Sequence, residues 1–222
     1  MRWLGLVILV ALAACTRPLT PNETKAARGL FGDTLNTDAV RVTAGVGLLP
    51  LPRDRQNGRR AESSAASPAA APASPPPGLC TRKRSTRRYY DWPAAFVLNN
   101  TVFFSHRFYT ADAFAGLPES ALYPTSVLMA HELVHVWQWQ NRRRTAYTPQ
   151  GAASETFAKV DPYWFGVDRS ANFFAMGYEQ QAAMVQDFVC YALFEPNDPK
   201  RDELAAVLRP ALPVDRFLAA LR

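Results

Sequence analysis

Apolar residues fall into five patterned stretches along the chain. Trp3 to Ala14 is apolar throughout behind Met1-Arg2, which is too short to span a bilayer as a helix and carries the charge of an export signal. From Thr20 the period becomes helical. Ala26, Ala27, Leu30 and Phe31 keep one side apolar behind Thr20-Pro21-Asn22-Glu23, a Thr cap with Pro at the first helical position and Glu at the third. Gly32 suits the end of that helix, and Val40 and Val42 alternate as in a short strand. Val97-Leu98 and Thr101-Val102-Phe103-Phe104 flank Asn99-Asn100, a two-residue turn tolerant of positive φ, which predicts a hairpin. Val127 to Gln140 continues without a breaker behind Pro124-Thr125-Ser126, and a second long helical pattern opens at Tyr178-Glu179, with Ala183, Val185 and Phe188 among its apolar positions. The expectation is an α+β fold, with a small antiparallel sheet or hairpin packed on two long helices.

With 222 residues, 48% hydrophobic and 20% charged, neither wholesale disorder nor a polytopic membrane protein fits, and one domain is expected. The net charge of +6 invites a nucleic-acid reading until it is located. Nine Lys/Arg and two acids lie between Arg53 and Arg88, Arg2 adds a base, and the remaining chain has 15 bases against 17 acids. Basicity belongs to one segment, so no nucleic-acid partner is expected. That segment, 53–88, also holds five Pro, seven Ala and five Ser, and reads as a disordered insertion within one domain spanning 20–222. Three cysteines exclude a disulfide framework. Cys80 lies in the insertion, and either a bond to Cys190 or a buried free Cys190 is compatible with the sequence.

The apolar start ends in Leu12-Ala13-Ala14-Cys15, which resembles the bacterial lipobox. That resemblance implies a signal peptide over 1–14, a lipid on Cys15 as the first mature residue, and a short tether through residue 19. The protein would be membrane-anchored in the cell envelope, facing the periplasm. Thr16 after the cysteine favours the outer membrane.

The fourth patterned stretch carries the chemistry. His131-Glu132-Leu-Val-His135 is an H-E-x-x-H motif, which shuffling three His and eight Glu over this length produces roughly once in a thousand sequences. Histidines at i and i+4 share a helix face and can converge on Zn²⁺. Glu132, about 100° round the helix from His131, is placed to act as general base on a water. Gln138 and Asn141 stand where metzincins carry Gly and His, which excludes that class. Two glutamates remain for the third ligand. Glu155 follows His135 by 20 residues, a spacing similar to thermolysin-like peptidases, although Lys159 occupies the place of their orienting Asp. Glu179 opens the second long helix. Tyr178, Tyr163 and His106 are candidate oxyanion donors. Asp187 is either a residue that orients a ligand or a solvated acid. Trp137 and Trp139 read as core, and Arg142 to Arg144 as a helix C-terminal cap.

Three blocks resemble small gluzincin-like zinc metallopeptidases, some labelled Vgr-related, akin to the metallopeptidase-like core domain associated with contractile injection systems and toxins. They are Thr20 to Val42, His131 to Gln140, and Glu179-Gln180-Gln181-Ala182 with Val185 and Asp187. The resemblance implies a zincin-like fold, Zn²⁺ on His131, His135 and Glu179, Glu132 as base, and hydrolysis of a peptide or protein substrate. The Pro/Ala/Arg insertion departs from the family. A zinc-holding lipoprotein that binds an envelope partner without turnover is the alternative, and the intact Glu132 argues against it.

Overall fold

The computed structural model describes residues 16–45, 51–52, 76–88, 90–166 and 171–222. The chain enters the sheet at once. β1 (Thr16–Arg17) pairs antiparallel with β2 (Arg41–Ala44), Thr16 opposite Thr43. This corrects the expected tether through residue 19, because Leu19 is also buried. Glu23 explains why. Its carboxylate lies inside the fold, bonded by Arg17 Nη1 and Nη2 at 2.7 and 2.8 Å and by Ala113 N at 2.9 Å, so Arg17 cannot leave without stranding a buried charge.

α1 (Pro21–Phe31) forms as its ends dictate. Thr20 Oγ1 accepts from Glu23 N, Glu23 returns the bond to Thr20 N, and Gly32 at φ +57° ends the helix. Within it Gly29 permits close packing: a Cβ there would stand 3.0 Å from Phe217 Cα of α7 (Val214–Ala219), the helix that covers α1.

β5 (Ala95–Leu98) and β6 (Thr101–Phe104) make the predicted hairpin, with Asn99 at φ +56°. The four-stranded sheet runs β1-β2-β6-β5 and is mixed, since β2 and β6 are parallel. The expectation of an antiparallel sheet holds for the hairpin and for β1–β2, and the parallel β2–β6 pair departs from it. β2 reaches β6 by a long crossover, which returns the chain in the same direction.

That crossover contains the basic segment. β3 (Leu51–Pro52) pairs with β4 (Tyr90–Asp91), bringing its two ends together. Residues 53–75 lie outside the described residues. Residues 76–88 are packed, which corrects the expected disorder for that part. Leu79 and Cys80 are buried, Cys80 is disulfide-bonded to Cys190, and Glu195 accepts the amides of Leu79 and Cys80. Arg82 binds Asp187 through two bonds of 2.7 and 2.8 Å, and Ser85 N donates to Asp161.

α2 (Thr125–Gln140) is buried from Thr125 to Gln138 and lies under β5 and against α5 (Tyr178–Phe194). An apolar circumference demands that position. Trp137 is fully buried, its Nε1 donating to Thr34 Oγ1 at 2.9 Å, as its core reading expects. The short α3 (Arg142–Thr145) follows, then α4 (Pro149–Ala158) and, beyond α5, α6 (Lys200–Leu208). Seven helices and a small mixed sheet therefore make an α+β fold among the described residues, and none of these helices is long and apolar enough to cross a membrane.

Candidate metal centre

One helix turn separates His131 from His135, so both rings leave α2 on one face and meet Glu179 at the start of α5. His131 Nε2 lies 3.2 Å from Glu179 Oε2, His135 Nε2 lies 3.4 Å from the same oxygen, and the two Nε2 atoms are 3.3 Å apart. The histidines are buried and Glu179 nearly so. This group can hold a metal ion. The structure brings together the three ligand candidates of the resemblance.

Glu155 is elsewhere. Its Oε2 accepts Tyr178 N at 2.7 Å and its Oε1 pairs with Lys159. A carboxylate there caps the amino end of α5, where N–H groups lack helical partners and the dipole favours negative charge. Gly177 makes room for it, since a Cβ at 177 would fall 1.5 Å from Glu155 Oε1. Thus Glu155 holds the helix that presents Glu179. Thr156 on the same element approaches Glu179 Oε1 at 3.3 Å.

Glu132 is buried beside the histidines on the cleft side, and among the described residues neither its Oε2 nor His131 Nδ1 has a partner. Burial raises the Glu132 carboxyl above its ordinary range, with His131 and His135 pulling down and Glu179 pushing up. Burial opposes charge on His135 too, but Glu179, Glu132 and a bond to Gln138 outweigh it and raise the ring to about 9 in the metal-free protein. For Glu179, burial works upward while the two histidines hold it well below the carboxylate range.

A cleft of about 250 Å³ opens over these groups. β5 lines it through Ala95, Phe96 and Val97, and α4 through Ala153 and the 42% exposed Phe157. Tyr163 and Tyr147 also line it. Of the expected oxyanion donors, only Tyr163 is there. Tyr178 spends its hydroxyl on Ala146 O at 2.7 Å, and His106 is exposed beyond β6. Asp187 is not a solvated acid, for it is buried and paired with Arg82. Arg142 bonds Trp139 O and covers the Trp139 ring, as a C-terminal cap does.

Sequence reasoning missed Tyr147 and gave Gln138 no role. Tyr147 precedes the Thr148 cap of α4 and follows Ala146 at φ +54°, a turn that residue type does not announce. A signal for Gln138 was present: it is a fully buried amide in a helix otherwise apolar around the motif, three residues after His135. No family model matches the chain, and no curated protein or solved structure matches it.

Proposed function

We propose that the protein is a zincin-like zinc hydrolase of peptide bonds in which Glu132 is the general base. The observation that carries this reading is the near-equilateral triangle of two imidazole Nε2 atoms and one carboxylate oxygen, with edges of 3.2 to 3.4 Å. Tetrahedral ligands at about 2.0 to 2.1 Å from Zn²⁺ stand roughly 3.3 to 3.4 Å apart, so the donor set fits by spacing and by chemistry. Beside it lies a buried carboxylate oxygen without a partner among the described residues, which favours catalysis over a purely structural site. Zn²⁺ held here supplies Lewis-acid chemistry, acidifying a water and polarising a carbonyl.

The chain's own residues supply the remainder. Glu132 takes a proton from the attacking water and returns it to the leaving amine nitrogen. β5 is the sheet edge beside the cleft. Ser105 N bonds Ala94 O, so by the alternation of an antiparallel ladder the backbone groups of Ala94, Phe96 and Leu98 face β6. Those of Ala95 and Val97 face outward, where an extended peptide can pair with them. Tyr147 is a hydroxyl donor for the developing oxyanion: burial first, then Glu179 and Glu132, push its phenol up to about 12, which keeps it protonated.

A peptide-library assay tests this. The zinc-loaded protein is expected to cleave; Glu132→Gln is expected to keep its zinc and lose on the order of 10²- to 10⁴-fold in turnover, and Tyr147→Phe to lose on the order of 10²-fold in kcat with zinc retained. Turnover unaffected by Glu132→Gln would refute the mechanism. Attachment to the envelope through Cys15, which lies outside the described residues, is part of the same reading. Its support is Leu-Ala-Ala-Cys15 directly before β1, and mass spectrometry of the mature chain should find an acylated Cys15; an unacylated terminus elsewhere contradicts it.

A further inference from the structure

The metal-site reading leaves unexplained why two glutamine side chains are buried between the helices that carry the ligands. Gln138 is fully buried and Gln181 nearly so, one on α2 and the other on α5. Burying an amide costs free energy unless all its bonds are made, and here they are made in one direction. Gln181 Nε2 donates to Met176 O at 3.0 Å. Gln138 Nε2 donates to Tyr178 O at 3.1 Å and to Gln181 Oε1 at 2.9 Å. Gln138 Oε1 then faces His135 Nδ1 at 2.9 Å.

The polarity of this chain is forced. Met176 O and Tyr178 O are backbone carbonyls and can only accept, so each amide must turn its NH₂ toward them and its oxygen the other way. An amide oxygen can only accept, so His135 must carry a proton on Nδ1. In the neutral ring that leaves Nε2 unprotonated, and Nε2 is the atom that joins the triangle with His131 and Glu179.

We propose that Gln138, backed by Gln181, is a positioning residue that fixes the tautomer and ring orientation of His135 for metal binding. The relay is anchored on the carbonyl of Tyr178, the residue before Glu179. The backbone that presents the carboxylate ligand therefore also sets the proton of the imidazole ligand, and the two helices deliver their ligands in register. His131 has no such device, since its Nδ1 lacks a partner among the described residues. The inference rests on the metal-site reading, but its test can be separated from it.

Zinc affinity, by competition with a chelator, and the ¹⁵N shifts of the His135 ring are the two readouts. Gln138→Leu is expected to lower zinc affinity about 10- to 100-fold; Gln138→Glu keeps an acceptor for the Nδ1 proton but turns its second oxygen on Tyr178 O and Gln181 Oε1, which can only accept, and is expected to bind zinc more weakly than wild type as well. In wild-type protein loaded with zinc, His135 should show Nδ1–H and Nε2 ligation. In the metal-free protein Nδ1 should keep its proton as well, giving the Nδ1–H tautomer wherever the ring is neutral. A wild-type protein that binds no zinc but holds this tautomer overturns the metal-site reading and leaves the relay standing. An Nε2–H tautomer in wild type, or a folded Gln138→Leu with wild-type zinc affinity, overturns the relay. If Gln138→Leu does not fold, the wild-type tautomer decides alone, an Nε2–H ring overturning the relay.

Discussion

His135 and Glu179 form a charged pair in the metal-free protein, and a metal must displace its proton. Burial disfavours charge on His135, but Glu179 and its neighbours raise the ring from 6.5 to about 9, and Glu179 is held below 4.5 by the histidines. A raised base contributes stability that is complete below its ordinary pKa and is lost as pH rises through the folded value; a lowered acid contributes stability present above its ordinary value and lost as pH falls. From this pair, with chelator present, thermal stability should therefore hold from about pH 5 to 6.5 and decline toward pH 9, the buried Glu132 with its raised carboxyl adding a loss as pH rises past its ordinary value. Zinc binding near pH 7 should release about one proton from His135, read as buffer-dependent heat in titration calorimetry. A binding heat independent of buffer contradicts this. His131, Glu132 and His135 were legible because their spacing lies within one helix turn or so, where sequence separation fixes geometry. The choice between Glu155 and Glu179 was not legible, since both belong to later helices and only the packing of α5 on α2 decides which carboxylate meets the histidines. Glu155 proved to act on the backbone of α5 at Tyr178.

Helix and strand ends were read well where the signal is local. The Thr20–Glu23 capping box and the Asn99-Asn100 turn appear where expected, each determined by residues within a few positions. Residues 76–88 show the opposite case. Proline, alanine, serine and a run of basic residues argued for disorder, yet the segment is held by partners over a hundred positions away: Cys80 by Cys190, Arg82 by Asp187, Leu79 by Glu195. Composition reports the entropy a segment must lose and is silent about such distant partners. The strap lies along α5, the element that presents Glu179, before the chain enters β4 and the cleft wall. Replacing Cys80 and Cys190 together by alanine should cost about 2 to 4 kcal/mol of unfolding free energy, measured by denaturant titration. Substituting 53–75 with a Gly/Ser loop of about fifteen residues should leave stability close to wild type. Equal losses from both changes would mean that the boundary at residue 76 is wrongly drawn.

At the scale of the whole molecule, α2 packs on both β5 and α5, α4 packs on α5, and residues of β5, α2, α4 and α5 line the cleft, with β5 at the edge of its sheet. The mixed sheet matters to this arrangement. A parallel β2–β6 pair requires a long crossover, and its described last part is stapled to α5 before β5 is laid beside the motif helix. Every part of the account converges on one carboxylate crossing from α5 to the two histidines of α2. Metal content and affinity of three proteins, wild type, Glu179→Ala and Glu155→Ala, test that point most directly. Wild type should bind one zinc, Glu179→Ala should bind at least tenfold more weakly with one carboxylate fewer in the X-ray absorption fit, and Glu155→Ala should retain a three-ligand site. Zinc bound normally by Glu179→Ala and lost from Glu155→Ala would contradict the account.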